Sequence, residues 1–267
     1  GQGSDGQVMT STGSGVAWED ISGGPTHIQE GSNFTDSILI SPNASTGTLS
    51  SATNNTGLGD SVFAALTSGI NNVGIGADSL KALTTGGSNV GIGFAALEAN
   101  TEASNNTAVG FTALLVNTGA DGRNNTAVGS AAMDANTSGK NNVAVGHDAL
   151  GANTTADNNT AIGKSALEAN TNIGSMTAVG TNAFAANTVG DKGVAVGFEA
   201  LATNTTAVHN TAVGFQALTA NTTGGNNTAV GKGALDANTT GTVNTAVGVD
   251  ALGSNTGSGE ANTAVGA

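Results

Sequence analysis

The string Asn-Thr-Ala-Val-Gly, with close variants, returns along most of this 267-residue chain at nearly constant spacing. The spacing between closing glycines is 17 residues, with two extra residues before Gly129 and one before Gly266. A unit this short cannot bury its own apolar side chains, so successive copies must stack and share one continuous core. The repeat therefore predicts a solenoid of about thirteen coils. The closing glycines are Gly59, Gly76, Gly93, Gly110, Gly129, Gly146, Gly163, Gly180, Gly197, Gly214, Gly231, Gly248 and Gly266.

The residues before each glycine alternate as in a short β-strand. Val, Ile or Leu precedes the glycine and Thr or Val stands two residues earlier, with Ala or Gly between them. β-Branched residues at a period of two favour a strand, and we expect the branched residues to face the core. On this interpretation, an aspartate in place of Val145 or Val213 buries an unpaired carboxylate and destabilises the protein by several kcal/mol.

The second half of the repeat places a large apolar residue four positions after the glycine, as at Phe63, Leu97 and Met133. We expect this side chain in the core. The segment is too short for its period to separate a second strand from a short helical turn, and both interpretations stay open. The predicted fold class is all-β, a parallel β-solenoid (β-roll) with one 17-residue repeat per coil.

Asparagine occupies the position seven after the glycine in ten consecutive repeats, each time followed by threonine. Asparagine tolerates the left-handed backbone conformation, and stacked asparagine side chains form ladders along an array of strands. A structural ladder is preferred to a ligand-binding role for these residues. They are Asn100, Asn117, Asn136, Asn153, Asn170, Asn187, Asn204, Asn221, Asn238 and Asn255.

The position directly after the glycine is the variable one. It holds phenylalanine at Phe94, Phe111, Phe198 and Phe215, and lysine, histidine or small residues in other repeats. Aromatic side chains bury large areas at interfaces, so this stripe predicts either a contact with a receptor or glycan, or a contact between subunits.

Composition excludes several other functions. Only 9% of the residues are charged and the net charge is −13 with six basic residues, which disfavours nucleic-acid binding. The absence of cysteine excludes disulfides and thiol chemistry. His27, His147 and His209 lie in different phases of the repeat, without the spacing of a triad or a metal site. We expect no enzyme activity, no cofactor, no metal and no membrane span, since no apolar run is long enough to cross a bilayer.

Three segments are expected along the chain. Residues 1–22 form a linker or attachment segment, in which Trp18, the single tryptophan, packs in a small β-ribbon or in a contact between subunits. Residues 23–58 form a connector and a capping coil, because the terminal units of a repeat array are atypical. Residues 59–267 form the 17-residue-repeat solenoid.

Copies such as NNTAVGFTAL, NNTAIGKSAL and NTAVGFQAL resemble the repeat shaft of bacteriophage tail fibres and related bacterial surface fibre proteins. They are more distantly similar to the NSVAIG-type repeats of trimeric autotransporter adhesin heads, whose repeat is shorter. The resemblance covers about residues 54–267. For the adhesin heads it implies a left-handed parallel β-roll, three chains around one axis and a role in surface attachment.

The function we expect is that of a non-enzymatic structural fibre, the shaft of a phage tail fibre or surface adhesin that mediates attachment. Its localisation is then extracellular, on a virion or cell surface. Its partners are other copies of itself, as a homotrimer or helical filament, and a cell-surface glycan or protein receptor. Two alternatives stay open: a filament subunit that polymerises end to end, and a carbohydrate-processing tailspike.

Overall fold

The computed structural model describes residues 7–11, 16–20, 34–35, 38–40, 46–256 and 259–266. These residues contain eighteen strands and no helix. The strands are β1 (Gln7–Ser11), β2 (Val16–Asp20), β3 (Phe34–Thr35), β4 (Ile38–Ile40), β5 (Ala52–Thr53), β6 (Thr56–Leu58), β7 (Val73–Ile75), β8 (Val90–Ile92), β9 (Thr107–Val109), β10 (Thr126–Val128), β11 (Val143–Val145), β12 (Thr160–Ile162), β13 (Thr177–Val179), β14 (Val194–Val196), β15 (Thr211–Val213), β16 (Thr228–Val230), β17 (Thr245–Val247) and β18 (Thr263–Val265).

Fourteen of the strands, β4 and β6 to β18, form one parallel sheet in which each pairs with the corresponding strand of the next coil. The register never slips: Thr126 lies opposite Val143, and Val128 opposite Val145. The two-residue insertion before Gly129 and the single insertion before Gly266 leave this pairing intact. The predicted parallel β-solenoid of about thirteen coils is therefore confirmed.

Two small sheets complete the strand pairings. β3 and β5 form a two-stranded parallel sheet, with Phe34 opposite Ala52. β1 and β2 form an antiparallel ribbon in which Trp18 lies opposite Met9. Within the segment expected to hold a capping coil, β4 is the first strand of the long sheet and pairs with β6.

The strand residues that we predicted to face the core face outward instead. Ala212 is fully buried, whereas Val213 beside it is 37% exposed. The same holds at Ala144, which is buried, and at Val145, which is only half-buried. The expectation that the branched residues point inward is wrong, because the interior of the coil is narrow and strands β6 to β18 have room there only for alanine or glycine.

The second half of each repeat is a run of tight turns. The alternative prediction of a short helical turn is wrong. The backbone N–H of Ala96 donates to the Gly93 carbonyl (3.4 Å), and that of Glu98 to the Ala95 carbonyl (3.3 Å). Ala95 and Leu97 have φ of 54° and 55°, the sign that a type II turn requires at its third residue. A right-handed helical turn is incompatible with this backbone. The large residue four after the glycine is buried, as predicted at Phe63, Leu97 and Met133.

The closing glycine cannot be replaced within this backbone. From Gly59 to Gly266 these glycines have φ between 123° and 144°, where other residues are strained. A Cβ atom on Gly93 would also overlap the carbonyl group of Gly110 in the next coil. Adjacent coils can therefore pack this closely at the ends of their strands only because glycine has no side chain.

Candidate functional site

The asparagines seven after the glycine form a buried column of hydrogen-bonded amides. The Asn221 Nδ2 donates to the Asn204 Oδ1 (3.0 Å) and to the Gly224 carbonyl (2.9 Å), and the Asn221 Oδ1 accepts from Asn238 (3.0 Å). Side-chain bonds of this kind join two runs of four residues. The runs are Asn100, Asn117, Asn136 and Asn153, then Asn187, Asn204, Asn221 and Asn238.

A second asparagine column, four residues before the glycine, runs beside the first. The backbone N–H of Asn89 donates to the Asn72 Oδ1 (2.9 Å), which fixes the offset between the two coils. The two columns meet, since the side chains of Asn89 and Asn100 both donate to the Ala103 carbonyl (2.9 and 3.1 Å). Fully buried amides that are bonded to backbone in this way stabilise the coil and are out of reach of a ligand.

Both columns are interrupted at the same level. Met176 and Gly193 stand where the second column otherwise has asparagine, and the Gly193 N–H donates to the Met176 Sδ (3.3 Å). The Phe184 ring occupies the space that a side chain on Gly193 would take. In the first column the Oδ1 atoms of Asn153 and Asn170 have no hydrogen-bond partner.

The outward strand residues form a continuous surface, which we call the strand face. It carries the residues one and three before each glycine, and none of them in β4 or β6 to β18 is charged. Leu58 and Ile162 are examples, 49% and 40% exposed. Our sequence reasoning missed this surface because it placed these residues in the core. The signal that identifies it is the alanine between them, the one strand residue small enough for a narrow interior.

The four predicted phenylalanines are brought together in two stacked pairs on the surface. The ring centroids of Phe94 and Phe111 are 5.4 Å apart, and those of Phe198 and Phe215 are 5.3 Å apart, with nearly parallel planes. All four side chains are between 42% and 58% exposed. The pairs are therefore compact aromatic patches, separated along the solenoid by the coils of Gly129, Gly146, Gly163 and Gly180.

Carboxylates gather at one shallow groove beside the turns. It is lined by Asp134, Asp148 and Glu168, with Gly151 and alanines between them. Partial burial, reinforced by the charge of Asp148, raises the pKa of the Asp134 carboxyl above its usual value. A carboxyl group whose pKa is raised, next to a second carboxyl group, has the chemistry that a general acid requires.

The histidines do not build a catalytic or metal site in the described part of the chain. The His147 Nδ1 lies 2.7 Å from the Asp148 Oδ2 on the surface, and His209 is exposed in another phase of the repeat. His27 lies outside the described residues. No group of three His, Cys, Asp or Glu side chains in the described ranges is placed to hold a metal ion.

Comparison with known proteins adds no relative. No protein family matches the chain, and no curated protein or solved structure is detectably similar to it. Among the described residues no helix is long and apolar enough to cross a membrane.

Proposed function

We propose that this protein is a non-enzymatic structural fibre, an extracellular shaft that mediates attachment, in which three chains associate side by side along the strand face. The observation that carries the proposal is the strand face itself. It extends over fourteen strands without one charged side chain, on a protein whose net charge is −13. A partly exposed, uncharged surface of valine, isoleucine and threonine of this extent is typical of an interaction site.

The geometry of the strand face suits a second copy of the same chain. Its rows of Thr, Val and Ile repeat at the spacing of parallel strands, about 4.8 Å, so two copies present matching ridges along about 60 Å. Desolvation of these residues costs little because they carry no charge and only threonine hydroxyls. Acidic residues lie on the turns, where they keep the outside of such an assembly soluble.

The interior of one chain also favours lateral association. A coil buries one large residue such as Leu218, small residues such as Ala212 and Ala217, and its asparagines. This is little apolar area against the backbone entropy of ordering 17 residues. Covering the strand face adds apolar burial in every coil.

Single cysteines test the arrangement, since the natural chain has none. With Val179→Cys on the strand face, a short bis-maleimide should link two chains; with Thr203→Cys, on an exposed turn, it should not. Linking at Thr203→Cys alone would show that another surface mediates association.

The end-to-end filament is supported by one observation, the uniform register of the sheet. Because every strand pair has the same offset, a coil of one copy matches the end of another. Electron micrographs decide between the alternatives: rods of one length support the side-by-side fibre, and a broad length distribution supports the filament.

The carbohydrate-processing alternative depends on the groove of Asp134 and Asp148. If it is correct, the purified protein cleaves glycans and Asp134→Asn abolishes the cleavage. The fibre proposal expects no cleavage by either protein.

A further inference from the structure

Two of the six basic side chains have no ion-pair partner in the part of the chain that the structure describes. Lys81 lies 3.0 Å from Asp78, and Arg123, Lys140 and Lys192 each lie within 4.0 Å of an aspartate. Lys164 and Lys232 have no carboxylate within that distance among the described residues. Unpaired cations are unexpected in a chain with nineteen acidic residues.

Both unpaired lysines lie in the column of the phenylalanines. In five successive coils this column reads Lys164, Thr181, Phe198, Phe215 and Lys232. The lysines therefore flank the second phenylalanine pair, four coils or about 19 Å apart at the spacing of parallel strands. Flexible ammonium groups at both ends of an aromatic patch are arranged for a ligand with anionic groups and an apolar face.

The phenylalanine rings supply that apolar contact. Each ring of the pair covers one face of the other, and its partner leaves the second face of each ring uncovered. The Phe198 and Phe215 side chains are 42% and 47% exposed. The C–H face of a pyranose ring packs well against such an aromatic face.

Polar groups suited to sugar hydroxyls adjoin the pair. The Glu199 Oε2 accepts a hydrogen bond from the Gln216 Nε2 (2.8 Å), and these two residues directly follow Phe198 and Phe215 in the chain. In the described residues no hydrogen bond is made by the Thr181 hydroxyl or by the side-chain amide of Asn182. These groups are available to a ligand.

We propose that this segment of the shaft, Lys164 to Lys232, is a binding site for an acidic glycan. Sugar rings pack on Phe198 and Phe215, their carboxylates pair with Lys164 and Lys232, and their hydroxyls bond to Asn182 and Glu199. The site depends on the proposed attachment function and names the chemical class of its ligand.

The first phenylalanine pair is a matched control within the same chain. Phe94 and Phe111 are stacked and exposed in the same way, but the adjoining residues of their column are Ala77 and Ser130. The next residue beyond Ser130 is His147, and no lysine flanks the pair. An acidic glycan should therefore bind at the second pair and not at the first.

Binding is tested by calorimetry with oligogalacturonate and sialyllactose as acidic probes, and with methyl-esterified oligogalacturonate and lactose as neutral ones. We expect one of the acidic probes to bind, with affinity that falls as salt rises, and its neutral counterpart to bind at least about tenfold more weakly. Lys164→Gln with Lys232→Gln should weaken acidic binding about tenfold, and Phe198→Ser with Phe215→Ser should abolish it. Lys81→Gln, and Phe94→Ser with Phe111→Ser, should leave it unchanged.

The site is overturned if neither acidic probe binds, if acidic and neutral probes bind equally, or if the control variants lose as much binding as the site variants. Sedimentation of each protein separates this result from the fibre proposal. Binding that maps to Lys164 and Phe198 on a monomeric protein refutes the fibre and keeps the site. An intact assembly that binds neither acidic probe refutes the site and keeps the fibre proposal.

Discussion

The coils of Gly59 and Gly76 share their backbone with the later coils but are filled differently. Seven residues after the glycine they bury Leu66 and Leu83, whereas the next ten coils have asparagine at this position, buried in all but the last. A coil interior can thus be closed by apolar packing or by bonded amides. Since each side chain stacks on its copy in the next coil, the choice is made for a run of coils together.

In the same two coils, a larger residue on one side of the interior is matched by a smaller residue on the other side. Their inward strand residue is glycine, and a Cβ atom on Gly57 would lie 2.7 Å from the Leu39 Cδ1 and 3.1 Å from the Phe63 ring. From Ala108 onward the inward strand residue is alanine, and the residue three after the glycine is a second buried alanine, as at Ala212 and Ala217. The interior holds a constant volume per coil, and a larger residue on one side requires a smaller one on the other.

The largest effect on stability is expected when asparagine replaces a buried leucine seven residues after the glycine. Leu66→Asn should cost about 4 kcal/mol of unfolding free energy, because it removes apolar burial and leaves an amide oxygen without a donor from Leu83. Leu83→Asn should cost about half as much, because Asn100 can donate to the new side chain and lengthen the ladder. Urea unfolding of both variants measures the difference. Equal losses would show that the ladder does not act as a unit.

A smaller contrast is expected inside the ladder. Asn221→Ala removes bonds to Asn204, Asn238 and Gly224 and should cost about 3 kcal/mol. Asn170→Ala removes one side-chain bond, to the Ile173 carbonyl, from a residue whose Oδ1 is unpaired, and should cost about 1 kcal/mol. Thermal melting of the two proteins is the measurement. A ranking in the opposite order contradicts the assignment of the columns as stabilising.

Substitutions at Gly193 and Phe184 test whether a larger residue requires a smaller neighbour where the asparagine columns are interrupted. Gly193→Ala forces a methyl group into the Phe184 ring and should cost about 2 kcal/mol. Adding Phe184→Leu should restore most of the loss, because it returns this coil to the usual pairing of sizes. A double-mutant cycle on unfolding free energies gives the coupling. Additive losses would refute this requirement.

The smallest effect concerns pH. Because the pKa of Asp134 is raised in the folded protein, folding favours its protonated form. Its contribution to stability is complete below the unfolded pKa of about 3.9 and is lost as pH rises through the folded value. Asp134→Asn should therefore become more stable relative to the natural protein as pH rises over this window, by a small amount because the groove is open to solvent. Melting temperatures across the window test the sign, and a constant difference would contradict it.

The repeat predicts the coil count and the position of the large buried residue, since both follow from stacking alone. It does not predict which strand residues face inward. Alternation at Thr211, Ala212 and Val213 has two possible phases, and the width of the interior selects between them. The left-handed backbone at Leu97 and Leu218 could not be predicted from the sequence either, because leucine has no preference for that conformation. The pairing of Phe94 with Phe111 could be predicted, since 17 residues separate adjacent coils.

Sedimentation velocity measures self-association through the strand face directly. The natural protein should sediment as one species of three 25.5-kDa chains. With lysine at Val145, Val179 and Val213 it should sediment as a single chain with an unchanged circular dichroism spectrum, because these side chains face outward. Lysine at Thr203 should leave the assembly intact. A natural protein that sediments as one chain, or a triple variant that still assembles, would show that the strand face does not mediate self-association.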